Sequence, residues 1–167
     1  LTDAPHIGDP GNLGWPAVSS GVALAVSPNA RYVVATALDG SLYLYAADRR
    51  LWSNGPHVAA GRRVVAISDN GNRMVLDDGQ VVAGGTTHGS LAGFVPLGQY
   101  AGGFALTEDG RYALVYGYAV TGEGTAQRAE RAAVQVVDLG TAAAVNLADA
   151  TVVGARSEEH TSELQSH

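Results

Sequence analysis

Ser27-Pro-Asn-Ala-Arg-Tyr-Val-Val34 returns twice along the chain. It recurs as Ser68-Asp-Asn-Gly-Asn-Arg-Met-Val75 and as Thr107-Glu-Asp-Gly-Arg-Tyr-Ala-Leu114, starting 41 and then 39 residues further on. The shared pattern is a hydroxyl residue, any residue, Asn or Asp, a small residue, a polar residue, then an apolar run. An Asn or Asp followed by a small residue accepts positive φ, so the chain can reverse tightly there. The hydroxyl can bond the turn's own backbone amides. Each copy therefore reads as the turn of a β-hairpin. A short apolar stretch precedes each one, at 22–26, 64–67 and 103–106.

A second reversal follows the first. Asp39-Gly40 separates Tyr32–Leu38 from Ser41–Ala46, and Asp78-Gly79 stands at the comparable place one repeat later. The predicted strands are 22–26, 31–37, 41–46 and 51–58 in the first unit. They are 64–67, 73–77, 80–83 and 93–97 in the second, with irregular outer strands around Gly84-Gly85 and Gly89. In the third they are 103–106, 111–119, 133–138 and 143–147. Thr151–Gly154 is expected to open a fourth unit. Four antiparallel strands every forty residues or so are the pattern of a β-propeller blade. One blade buries little alone, so blades must stack face to face. The fold class is all-β: a partial propeller of about three four-stranded antiparallel blades in an open arc, spanning 22–155. Residues 1–21 read as an irregular lead-in from a preceding blade.

The motif Ser27-Pro-Asn-Ala-Arg-Tyr resembles the S-P-D-G-R-Y turn of WD40-like and lactonase-like propellers. Asp39-Gly-Ser-Leu-Tyr-Leu-Tyr, followed by Leu51-Trp52-Ser53, is similar to WD40-like and PQQ-like repeats. The resemblance spans roughly 22–147. It implies architecture far more than activity, because such propellers host many functions. No repeat carries the Gly-His and Trp-Asp dipeptides of strict WD40 blades. The quinoprotein run is degraded at Ala47-Asp48-Arg49-Arg50, which argues against bound quinone.

The last stretch, Arg156–His167, has a different character, polar and without strand alternation. It resembles the translation of a short-read sequencing adapter and is expected to be a tail foreign to the fold. With it set aside, and Leu1 in place of Met, the chain reads as a fragment of a longer propeller. The composition, lysine-free and rich in Ala, Val, Gly and Arg, points to a GC-rich bacterial genome.

Composition excludes several functions. The 167 residues carry ten arginines, no lysine and sixteen acids, a formal charge of −6. An acidic chain whose only adjacent cations are Arg49-Arg50 and Arg62-Arg63 is not built to follow a phosphate backbone. No apolar run approaches the ~20 residues of a membrane-spanning helix. Cysteine is absent, which removes disulfides and thiol catalysis.

His6, His57 and His88 stand apart, without a second ligand at metal spacing. Asp77-Asp78 before Gly79 lacks the alternating oxygen ligands of a calcium loop and reads as a turn pair. No G-x-S-x-G elbow occurs, and Gly84-Gly85-Thr86-Thr87 follows no phosphate-binding spacing. Tyr43 and Tyr45 share one strand face; with Trp52 they read as packing between blades.

No catalytic, cofactor or metal residue is assigned. The distinctive feature is Thr121–Ala132, ten residues longer than the Asp39-Gly40 connection it replaces. Gln127, Arg128, Glu130 and Arg131 in it are the candidate partner contacts, read as a short charged helical turn. The functional expectation is a non-catalytic scaffold or binding module for a protein, peptide or surface ligand. The alternative is part of a lactonase-like hydrolase or quinoprotein-like dehydrogenase whose site needs further blades.

Overall fold

The computed structural model describes residues 22–94, 99–121, 128–142 and 144–157. Each copy of the repeated turn joins the first and second strands of its own four-stranded antiparallel sheet. The first sheet contains β1 (Val22–Val26), β2 (Tyr32–Ala37), β3 (Ser41–Ala46) and β4 (Leu51–His57). The second contains β5 (Val64–Ile67), β6 (Arg73–Leu76), β7 (Gln80–Ala83) and β8 (Thr86–Ser90). The third contains β9 (Gln99–Leu106), β10 (Tyr112–Thr121), β11 (Arg128–Asp138) and β12 (Thr151–Ser157). Within each sheet the strands lie in sequence order, and none of the sheets closes on itself.

The three turns share one hydrogen-bond scheme. Ser27 Oγ donates to Asn29 Oδ1 at 2.8 Å and accepts the Tyr32 amide at 3.0 Å. Ser68 and Asn70 repeat this at 2.7 Å, with the Arg73 amide at 3.1 Å. Thr107 and Asp109 repeat it at 2.6 Å, with the Tyr112 amide at 3.0 Å. The small residue sits at φ 58 in Ala30, 71 in Gly71 and 72 in Gly110. Each turn is thus closed by hydrogen bonds within its own copy of the motif.

These turns are also bonded to one another. The Asn29 amide donates to Asp69 Oδ1 at 2.8 Å, and Asn29 Nδ2 donates to the Asp69 carbonyl at 3.1 Å. The Asp69 amide in turn donates to the Glu108 carbonyl at 2.7 Å. The matching motifs therefore occupy equivalent corners of successive sheets and form a row.

Two apolar layers separate the sheets, and the period-2 alternation of the middle sheet supplies both. Met74, Leu76 and Val82 join Val34, Leu42 and Val58 of the first sheet and its link. Val75, Val81 and Ala83 join Ala113, Val115 and Val137 of the third. This is why β6 is buried at every position, whereas a strand with one wet face would alternate. Each fully buried Val or Leu contributes roughly 1.5–3 kcal/mol of transfer free energy. Neighbouring sheets meet through β1, β5 and β9.

Arg73 breaks the apolar column of β6, yet it is only 5% exposed. Its Nη1 donates to the carbonyls of Gly110 and Gly140 at 2.7 and 2.8 Å, and Nη2 to that of Ala142 at 2.6 Å. One guanidinium of the second sheet thus ties down three carbonyls belonging to the third.

The strands of the first sheet fall where the sequence predicts them, its outer strand included. The outer strands of the second and third sheets depart from it, and β9 and β11 begin four and five residues earlier than expected. The second sheet closes with Thr86–Ser90 rather than 93–97. Gly84 and Gly85, at φ 55 and 76, make the reversal immediately after β7. Leu91–Phe94 is a 3-10 turn that buries Leu91.

In the third sheet, 144–147 is not a strand, and Ala143 lies outside the described residues. Asn146 folds that stretch back instead: its Nδ2 donates to Asp149 Oδ2 and its Oδ1 accepts the Ala148 amide. Val145 then reaches the core, and Leu147 lies against Gly89. The fourth strand is Thr151–Ser157, paired with β11, so this segment finishes the third sheet rather than opening another. It runs through Arg156 and Ser157, opposite Val134 and Ala133. Residues 158–167 and 1–21 lie outside the described residues.

Candidate recognition surface

Two edges of the sheet stack carry different chemistry. On the edge opposite the turn row, the Asp-Gly reversals receive the outer strands. Asp39 Oδ1 accepts the Ser41 amide at 2.9 Å, and Asp78 Oδ1 accepts that of Gln80 at 3.1 Å. The Gly40 carbonyl accepts the Val58 amide at 2.9 Å, and the Gly79 carbonyl accepts that of Leu91 at 2.8 Å. The chain then crosses to the next sheet along this edge.

The first crossing explains two charged pairs in the sequence. Arg62 lies 3.8 Å from Asp77 and 3.2 Å from Asp78, and Arg63 lies 3.8 Å from Asp77. Val64 N donates to Thr36 Oγ1 at 3.2 Å beneath them. Arg62-Arg63 therefore pairs, at the start of β5, with the Asp77-Asp78 turn of the same sheet rather than building a basic patch.

The third sheet differs at this edge. In place of an Asp-Gly reversal, β10 and β11 stay paired as far as Thr121 opposite Arg128. Strand β10 runs four residues beyond the position matching the end of β2, about 14 Å at strand rise. Strand β9 accompanies it to Gln99 opposite Ala119. Of the sequence candidates, Arg128, Glu130 and Arg131 lie in β11, an extended strand and not a helical turn. Arg131 stands opposite Ala119 in the ladder. Gln127 lies outside the described residues. The helical expectation fails because pairing with β10 satisfies these backbone groups; a single isolated helical turn would leave them open.

On the turn-row edge a cleft of about 260 Å³ lies between the second and third sheets, lined by Asn70, Asn72, Arg73, Asp109, Arg111 and Thr141, among others. Sequence reading did not single it out. Both of its cations are committed. Arg73 holds the three carbonyls, and Arg111 pairs with Asp138, Nη2 to Oδ2 at 3.0 Å, beside the Tyr112 ring. Thr107's hydroxyl and then the Arg111 amide hold the Asp109 carboxyl below the usual range. The Arg111 side chain and then the Gly140 amide do the same for Asp138.

A folded-state pKa below the unfolded one adds stability above the unfolded value of about 4, and that stability is lost as pH falls through the folded value. Stability is therefore expected to fall off below about pH 4. Asp109→Asn should keep the turn, since Asn29 and Asn70 make the same bonds, while reducing that acid dependence. Urea melts at stepped pH would test it, and an unchanged acid limb would contradict the assignment.

Tyr43, Tyr45 and Trp52 lie on the outward face of the first sheet, turned from the second. The Tyr45 and Trp52 rings are 5.0 Å apart at 46°. His57 Nδ1 lies 3.0 Å from the Val58 carbonyl, and His88 sits in β8; His6 lies outside the described residues. Among the described residues no group of three or more His, Asp or Glu side chains is placed to hold a metal ion. No helix among them is long and apolar enough to cross a membrane. In comparison with known proteins, the chain matches no protein-family model and no curated protein.

Proposed function

We propose that the three sheets are blades of a β-propeller, arranged as an open arc, and that the chain is a non-catalytic scaffold that binds a protein or peptide. The observation that carries this is the tall β9–β10–β11 extension. Two sheets end at the link edge in two-residue Asp-Gly reversals, and the third departs from the repeat to raise a hairpin there. A sheet that carries one hairpin longer than its neighbours' two-residue reversals offers a contact element on a scaffold. Arg128, Glu130 and Arg131, which lie in β11, are the charged contacts this reading assigns to the hairpin. Main-chain pairing along its height would present them without loss of backbone satisfaction.

The test is to replace residues 119–131 with the Asp-Gly reversal used by the other sheets. Phage-displayed peptides selected on the intact chain should lose binding to the shortened one by at least ~10-fold, about 1.4 kcal/mol. The circular dichroism spectrum and melting midpoint should stay close to those of the parent. Equal enrichment on both chains would remove the hairpin from recognition.

A further inference from the structure

Five dipeptides along the chain place Asn or Asp before glycine: Asp39-Gly40, Asn54-Gly55, Asn70-Gly71, Asp78-Gly79 and Asp109-Gly110. Such a pair has a reactivity of its own, because glycine has no Cβ to shield its backbone nitrogen. That nitrogen can attack Cγ of the preceding side chain and close a succinimide ring. In a folded chain the attack needs two freedoms. The side chain must swing over the following peptide, and the glycine amide must be released from other bonds.

Four of the five pairs are denied both. Gly40, Gly71, Gly79 and Gly110 each donate their amide to the carbonyl three residues back, at 2.8–3.0 Å. The Asn or Asp before each accepts, on its side-chain oxygen, the amide two residues after itself, at 2.9–3.1 Å. Asn70 is held further by Ser68 Oγ at 2.7 Å and reaches across to the Asp109 carbonyl at 3.4 Å.

Asn54-Gly55 is the exception. It lies within β4 and not in a reversal. The ladder with β3 is irregular there: Asn54 faces Tyr43 and His57 faces Ser41, so Gly55 and Pro56 stand together opposite Leu42 without a register partner. Asn54 is exposed, and its side chain makes no hydrogen bond among the described residues. It borders an open depression of about 350 Å³ shared with Ser41, Tyr43 and His57, so water reaches it.

We infer that Asn54-Gly55 is a site of spontaneous covalent modification, with water as the co-reactant. The Gly55 amide gives its proton to hydroxide, and its nitrogen bonds to Asn54 Cγ. The Cγ–Nδ2 bond breaks, and the side-chain nitrogen takes up a proton from water and leaves as ammonia. Water then opens the succinimide at one of its two carbonyl carbons. Opening at Cγ yields aspartate. Opening at the main-chain carbonyl carbon of residue 54 yields isoaspartate, whose chain runs through the former side chain and is longer by one carbon. That added carbon puts the end of β4 out of step with β3, and with it the Val58 amide that docks on the Gly40 carbonyl. Aspartate adds a charge at an exposed position and leaves the ladder in step. The inference is independent of the recognition reading above.

Timed incubation of the intact chain at mildly alkaline pH, followed by peptide mapping with mass spectrometry, tests it. In the folded chain Asn54 is expected to convert at least ~10-fold faster than Asn70. In denaturing urea the two should convert at similar rates, because both are then bare Asn-Gly pairs. Asn54→Gln should suppress conversion at that position with an unchanged circular dichroism spectrum, since the longer side chain closes its ring slowly. The separated isoaspartyl species should lose amide-exchange protection at Val58, whereas Asn54→Asp should keep it. Equal rates at Asn54 and Asn70 in the folded chain, or a faster Asn70, overturn the inference. A ~10-fold difference that persists in urea also overturns it, by assigning the contrast to flanking residues instead of the fold. An Asn54 that stays intact in the folded chain while both positions convert in urea overturns it as well, because β4 would then hold Asn54 as firmly as the turns hold the others.

Discussion

Arg73→Met is expected to destabilise the chain by about 4 kcal/mol and to lower its melting midpoint by roughly 10 °C. Methionine replaces much of the buried volume of the stem but none of the donors. Three carbonyls, on Gly110, Gly140 and Ala142, lose their charged partner together. The bond to Gly110 is buried and those to Gly140 and Ala142 are part-buried; a buried acceptor left unsatisfied costs more than the bond itself contributed. Arg73→Lys should recover only part of the loss, because one ammonium cannot reproduce the planar fork. The contrast is Arg63→Met. Its side chain is 66% exposed in a 3.8 Å ion pair, so less than about 1 kcal/mol is expected. Thermal melts of the three variants decide the matter. A midpoint for Arg73→Met within about 2 °C of the parent would show that the guanidinium does not tie the second sheet to the third.

Gly40→Ala should cost about 3 kcal/mol, roughly an 8 °C drop in midpoint. Gly40 sits at φ 93, where an L side chain is strained, and its added Cβ would overlap the Val58 carbonyl and lie 2.9 Å from the His57 ring. That is the point where β4 turns back onto the Asp-Gly reversal through Val58 N. Gly61→Ala is the control: its φ is 79, but nothing lies within 4 Å of the new Cβ, so only the backbone cost of about 1 kcal/mol remains. Amide exchange should show lost protection at Val58 in the first variant and not in the second. Equal losses in both would mean that the outer strand does not dock on the turn.

The readable parts of this fold are those whose residue types have a single local use. Ser27 with Asn29, Ser68 with Asn70 and Thr107 with Asp109 close their turns by themselves, so the motif and its spacing expose three hairpins and the forty-residue unit. The Asp-Gly pairs did the same for the second reversals.

The outer strands of the second and third sheets were harder because they bury little. Thr86–Ser90 has no alternation and only His88 partly covered, so its chemistry matches that of a loop. Val145 and Leu147 look like a strand by spacing but fill the core from a turn made by Asn146, a choice that only tertiary packing sets.

The candidate site was legible as an insertion and not as a shape. The Ala, Arg and Glu residues of 127–133 favour helix locally, and the partner strand β10 overrides that preference. Arg73 had one sequence signal: an arginine where the other copies carry Tyr32 and Tyr112. Its three acceptors come from 110–142, so no local pattern could have named them.

Trans-hydrogen-bond scalar couplings measured by NMR on the isotopically labelled chain address the row of turns itself. The account predicts a coupling from the Asn29 amide nitrogen to the Asp69 carboxyl carbon, and another from the Asp69 amide nitrogen to the Glu108 carbonyl carbon. Couplings confined within each turn, with amide contacts that never cross from one copy to the next, would contradict the stacking of successive sheets.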